Sequence, residues 1–321
     1  MQVFDNPAGP GALWFDNLST ANGTAVGYDP QARAFLPMGA FCINRERIGC
    51  NWIAPQAGHF CRACAMTELA PDPTVEDSIP QWAATEAAKR WVLDNLGQWH
   101  WFRPEDIGPP PVFHMLAEYD GPAPMGHANG VVTISVAEAD PVVRTSRRES
   151  LGERYRTMIG HMRHEIAHML WWRLSAREDF LAAFRNLFGD ERADYGQALE
   201  RHYQNGPPAD WQQHYLTRYA SAHPHEDWAE TTAHLLHLTD ITDSFIAAGL
   251  DCDKLPSPGW NPYSETDSAK LLHVAASIAV GINHVNRAMG LADLYPFLMA
   301  PATHGKLAFV HDWLRRGAQG R

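Results

Sequence analysis

The chain has 321 residues, of which 45% are hydrophobic and 20% charged, with a net charge of −11 and a pI near 5.8. That balance is globular rather than disordered, and it argues against a broadly basic surface that grips nucleic acid through its phosphates. The opening stretch, MQVFDNPAGPGALWFD, lacks the basic start and apolar core of a secretory signal. The longest mostly apolar run, LLHVAASIAVGI, is too short to span a bilayer. A cytoplasmic protein with no membrane and no nucleic-acid partner is the expectation.

Residues 1–72 are rich in Gly, Pro, Asn and aromatics and show little helical periodicity. Four of the five cysteines fall here: Cys42, Cys50, Cys61 and Cys64, spaced C-x7-C-x10-C-x2-C. An odd total without an export signal disfavours a disulfide framework. The closing C-x-x-C suits a knuckle that grips one ion, and four thiolates with no open position describe a structural zinc site. Such an ion supplies folding energy that a module of this size cannot draw from its own core. His59 is an alternative to one thiolate, and Cys252 reads as a lone free thiol.

LAPDPTVEDSIP is a linker by composition. The stretch QWAATEAAKRWVLDNLGQW after it has helical spacing and good helix formers. Residues 112–119 and 130–140 read as strands. From residue 149 onward the chain reads as helical, with candidate helices at 149–174, 178–188, 193–204, 226–238, 265–288 and 304–316. The fold class expected is α+β, a small N-terminal module followed by a mostly helical domain with a small sheet.

Within the first of those helices His164, Glu165 and His168 spell H-E-x-x-H. Positions i and i+4 lie one turn apart on one helix face, so two imidazoles can reach one ion. Glu165, beside the first of them, can hold a metal-activated water and take its proton. At about 100° per residue, Leu151, Tyr155, Met158, Ile159, Met162, Ile166, Met169 and Leu170 share one apolar arc, and the histidines lie off it. His161 reads as a packing residue or a partner to a ligand, rather than a ligand itself.

Catalytic zinc keeps three protein ligands and one open position. A histidine six residues after His168 is excluded, because Leu174 stands there. The segment YASAHPHEDWAETTAHLLH offers carboxylates instead. Glu226 is taken as the third ligand. Glu230, one turn on, then accepts from the far nitrogen of a ligand histidine. The reverse assignment stays open, and Asp227, His223 and His225 are weaker candidates. Tyr219, just upstream, offers a phenol that can donate to the oxyanion formed as water adds to a carbonyl.

With these residues in view, the chain resembles zincin metallopeptidases of the glutamate-ligand type. EDWAE, preceded by Tyr219, is similar to the matching element of lethal-factor-like zincins. More closely, CNW with CRAC, GHANGVVTISVAEAD, RHEIAH and HPHEDWAE resemble the bacterial zinc-binding metallopeptidase family with an N-terminal zinc ribbon. The resemblance implies a zinc-ribbon-like module over 1–72 and a zincin-like metallopeptidase domain over 73–321. It implies a reaction class and no substrate. Members of that family often carry further cysteine pairs before CNW; none is present here, so packing alone is expected to hold the first 40 residues.

The resulting scheme is a zinc hydrolase acting on a peptide or protein. His164, His168 and Glu226 hold one zinc, Cys42, Cys50, Cys61 and Cys64 a second, and Glu165 and Tyr219 do the chemistry. Residues 130–136, if they edge the cleft, can pair with an extended substrate. The rival readings are a zinc-stabilised scaffold that binds a protein partner through the N-terminal module, and a zinc amidohydrolase acting on a non-peptide amide.

Overall fold

The computed structural model describes residues 3–119, 121–151, 156–297 and 299–317. The chain packs as two compact units, Met1–Met162 and Arg163–Arg321, with the division falling inside one helix.

The first unit opens with two short antiparallel pairs. β1 (Phe4–Asp5) joins β2 (Ala12–Leu13), and β3 (Gly27–Asp29) joins β4 (Ala34–Leu36). Where further cysteine pairs are missing, an aromatic cluster serves as the core. The buried Tyr28 ring lies 5.1, 5.0 and 5.4 Å from the centroids of Phe4, Phe15 and Phe35, edge-on or tilted as ring quadrupoles prefer. Gly27 is required in β3 by crowding: a Cβ there would stand 2.8 Å from Ile53 and 2.9 Å from the Phe41 ring. Two helical turns follow, α1 (Arg45–Ile48) and α2 (Arg62–Ala65).

β5 (Thr67–Leu69) then leads through a loop to the long helix α3 (Ser78–Gly97), and β5 pairs in parallel with β6 (Val112–Leu116). β7 (Gly126–Ala128) and β8 (Val131–Ser135) complete a four-stranded sheet of order β5-β6-β8-β7, with only β7 antiparallel. β8 is thus an interior strand with neighbours on both sides, and its backbone is not available to an incoming peptide over residues 131–133. The strand expected over 130–140 also stops at Ser135, and Val136–Ala139 is a 3-10 turn. The turn delivers the Glu138 carboxylate to a buried polar knot, where it accepts from Arg147 and Arg156 at 2.6 Å each. His161 Nε2 lies 3.3 Å from the same carboxylate. These partners hold Glu138 well below the usual carboxylate range against a burial that pushes it up.

α4 (Pro141–Leu151) follows, a helix the sequence reading leaves unassigned before residue 149. The next helix begins at Met158, so the single helix expected over 149–174 does not form. Arg156 and Thr157 are non-helical, and Tyr155, assigned to its apolar arc, lies outside the described residues.

Asp94 on α3 is buried and accepts from the Tyr28 hydroxyl at 2.7 Å. Burial pushes its carboxyl up to about 6, an effect that Arg33 and Tyr28 offset only in part. A folded-state value raised above the unfolded one means that the native state binds the extra proton between about pH 4 and 6. Stability from this group therefore falls as pH rises through that window, by about 3 kcal/mol at most, and is level above it. The expected result is that wild type loses Tm relative to Asp94→Asn between about pH 4 and 6. A difference independent of pH would contradict it.

The second unit is helical. α5 (Met158–Leu174) crosses into it, followed by α6 (Glu178–Phe188), α7 (Tyr195–Asn205), α8 (Trp211–His214), α9 (Pro224–Ala247), α10 (Ser268–Ala288) and α11 (Pro301–Arg315). Its core forms where α6, α9 and α11 meet. Phe180, Phe184 and Phe188, one turn apart on α6, surround Trp228 of α9 at 5.4–6.2 Å between centroids. The Trp228 indole donates to the Ala167 carbonyl at 2.8 Å and so pins α9 to α5. Arg163 adds a second tie, to Asp240 at 2.5 Å. Among the described residues no helix is long and apolar enough to cross a membrane.

Candidate metal centres

The first unit brings Cys42, Cys50, Cys61 and Cys64 together, all buried and none in a disulfide. The wide C-x7-C spacing is filled by the helical turn α1, which Gly49 closes in the left-handed conformation at φ 63°. Backbone amides then turn toward sulfur. Cys61 N–H donates to Cys42 Sγ at 3.2 Å and Cys64 N–H to Cys61 Sγ at 3.4 Å. Cys50 Sγ lies 3.6 Å from the sulfurs of both Cys61 and Cys64. A tetrahedron of thiolates about 2.3 Å from zinc has an edge of roughly 3.8 Å, so the donor set fits that ion. His59 turns away, exposed and bonded to Gln56 at 3.0 Å.

The second unit builds the other cluster from α5 and the first turns of α9. α9 starts sharply because Pro224 occupies its first turn and the His223 side chain accepts from the His225 amide. This start aims Glu226 at the two histidines one turn apart on α5. His164 Nε2 lies 3.2 Å from His168 Nε2 and 3.1 Å from Glu226 Oε2, and His168 Nε2 lies 3.6 Å from Glu226 Oε1. For a four-coordinate ion with bonds of about 2.0–2.1 Å the expected edge is roughly 3.3 Å. His164 and His168 keep 14% and 16% of their side-chain surface, whereas Glu226 keeps 1%. The cluster is therefore open on the imidazole side.

Glu230 accepts from His164 Nδ1 at 2.7 Å. With that nitrogen as donor, neutral His164 turns the Nε2 lone pair toward the Glu226 carboxylate and toward His168. Lone pairs so close require a proton or a cation between them. Without an ion the proton solution is favoured: burial opposes charge on His164, but Glu226 and Glu230 hold it well above its ordinary value. Burial likewise pushes Glu226 up, and the two imidazoles more than reverse it. Two buried carboxylate oxygens, Glu165 Oε2 and Glu226 Oε2, have no hydrogen-bond partner among the described residues. Such groups are costly unless an ion or water completes them, and the donor set fits a divalent cation.

The weaker candidates are occupied elsewhere. His223 caps α9 and its Nε2 bonds the Ala193 carbonyl at 3.1 Å. His225 lies edge-on to Trp171 at 4.2 Å, and Asp227 pairs with Lys306 at 2.5 Å. Tyr219 sits in a 3-10 turn before α9 with its ring centroid 6.1 Å from that of His164. The hydroxyl of Tyr195, at the start of α7, donates to Glu226 Oε1 at 2.7 Å. Tyr195 escaped the sequence reading, because a tyrosine opening a helix far upstream of its carboxylate carries no local signal.

The match to known proteins agrees with the composition of this site. A family model described as "Putative zinc-binding metallo-peptidase" matches residues 78–313. The chain belongs to this zinc-binding metallopeptidase family. Similar proteins include uncharacterized ones from Mycobacterium bovis and from two strains of Mycobacterium tuberculosis, each 36% identical over 97% of this chain and 94% of their own length. No solved structure matches the chain. The family match spans α3 through most of α11 and so includes the His164, His168 and Glu226 cluster, while the cysteine quartet precedes it.

Proposed function

We propose that this member of the metallopeptidase family hydrolyses peptide bonds at a zinc ion held by His164, His168 and Glu226, and that a second, structural zinc sits among Cys42, Cys50, Cys61 and Cys64. The supporting observation is the convergence of two imidazole nitrogens and a carboxylate oxygen within 4.8 Å of one another, with imidazole faces left open. Bound zinc would supply Lewis-acid polarisation of a water and of the scissile carbonyl.

Glu165 follows His164 on α5 and is 6% exposed, with an unpartnered Oε2. That oxygen accepts the proton of the attacking water and then delivers it to the leaving amine. Glu230 holds His164 in the tautomer that leaves Nε2 free to ligate. Tyr219, its ring 6.1 Å from that of His164, donates to the developing oxyanion.

Incubation with a strong zinc chelator is expected to abolish cleavage of a peptide library, and zinc alone to restore it. Tyr219→Phe should lower kcat about 10- to 100-fold, the scale of one oxyanion donor or less, with zinc per chain unchanged. Cleavage that survives complete removal of zinc would end this reading.

A further inference from the structure

The Tyr195–Glu226 bond bears on how the carboxylate meets the ion. We propose that Tyr195 is a positioning residue that restricts Glu226 to binding zinc through one oxygen, Oε2; this rests on the metal-centre reading above.

The two oxygens of Glu226 have unlike surroundings. Oε1 accepts the Tyr195 hydroxyl at 2.7 Å and stands 3.6 Å from His168 Nε2. Among the described residues Oε2 has no hydrogen-bond partner, and it lies 3.1 Å from His164 Nε2. A short bond from a phenol occupies a lone pair of Oε1 and its approach, which leaves Oε2 as the free donor.

The phenol is aimed at Glu226 by two anchors. Asp194 caps α7 by accepting the Gln197 amide at 2.9 Å, which sets where Tyr195 leaves the backbone. The ring then lies edge-on to His223 at 5.2 Å, and His223 Nε2 bonds the Ala193 carbonyl. The residue that starts α9, and so places Glu226, is therefore the same one that holds the approach to α7. Tyr195 is 43% exposed, so its hydroxyl reaches Glu226 from a ring that is only partly packed.

The test uses the full chain and Tyr195→Phe, which deletes one oxygen. Zinc affinity is read by competition with a chromophoric chelator. Ligand geometry is read from the visible absorption of the cobalt-substituted protein, with the His164→Ala spectrum subtracted to isolate this centre. The expected result is a 10- to 100-fold loss of zinc affinity, the usual scale for removing a partner of a metal ligand. The cobalt bands should also weaken as Glu226 swings to bind through both oxygens. The Tm of the metal-free variant should match that of metal-free wild type, which separates positioning from folding. Affinity within twofold of wild type together with unaltered bands would overturn the role of Tyr195 while leaving the metal centre intact. If His164→Ala retains every zinc of the wild type, the metal-centre reading itself fails, and this inference with it.

Discussion

Glu165→Gln is expected to lower kcat/KM on any cleaved peptide by about 10³-fold, inside the range for removal of a general base, with zinc content unchanged. Gln has the shape of Glu and still accepts hydrogen bonds, but its amide cannot hold a proton taken from water. Glu165 is not among the three side chains whose donor atoms converge, so the ligand set survives the change. The measurement pairs steady-state kinetics with zinc per chain by elemental analysis. Activity within threefold of wild type would remove Glu165 as the base. Loss of zinc in this variant would instead make Glu165 part of the metal's support.

The second large effect is expected at the cysteines. Cys61→Ser should release one zinc per chain and leave the first 70 or so residues open to protease. Cys61 is fully buried, accepts the Cys64 amide on its sulfur and sends its own amide to Cys42. Serine is shorter and is not a thiolate, so both the ion and the two turns that face it lose their anchor. Structural zinc is worth about 10–16 kcal/mol, comparable to the whole stability of a typical domain of about 5–15 kcal/mol. The elements around the quartet are strands of two or three residues and helical turns of four, so apart from the aromatic cluster around Tyr28 the ion is their main anchor. His164→Ala should release the other zinc and leave the N-terminal segment resistant to protease. A Cys61→Ser chain that keeps all its zinc and its protease resistance would refute the structural role.

Some elements were legible because a local pattern and the packing agree. α6 spans residues 178–188 as expected, because its three phenylalanines recur every fourth residue and Gly189, at φ 101°, ends it. α9 runs to Ala247 rather than to residue 238 because Thr239, Asp240, Thr242 and Asp243 look like solvent-facing residues in sequence and are buried in the fold. Asp240 finds Arg163, and the two threonine hydroxyls bond carbonyls one turn back. Residues 136–139 look like a continuing strand, yet Glu138 is drawn into a turn by arginines that lie later in the chain.

The donors are written in the sequence: four cysteines at knuckle spacing, two histidines one turn apart, and acidic residues opening a later helix. Donor chemistry belongs to each side chain, and spacing along one helix fixes which residues share a face. Which lone pairs converge depends instead on how the helices pack. The approach of α9 to α5 through Trp228 and Ala167 placed Glu226 beside the imidazoles and Glu230 behind one of them. It also brought in Tyr195 from a separate helix. Distances between helices depend on packing across the whole unit, and no short stretch of sequence carries that information.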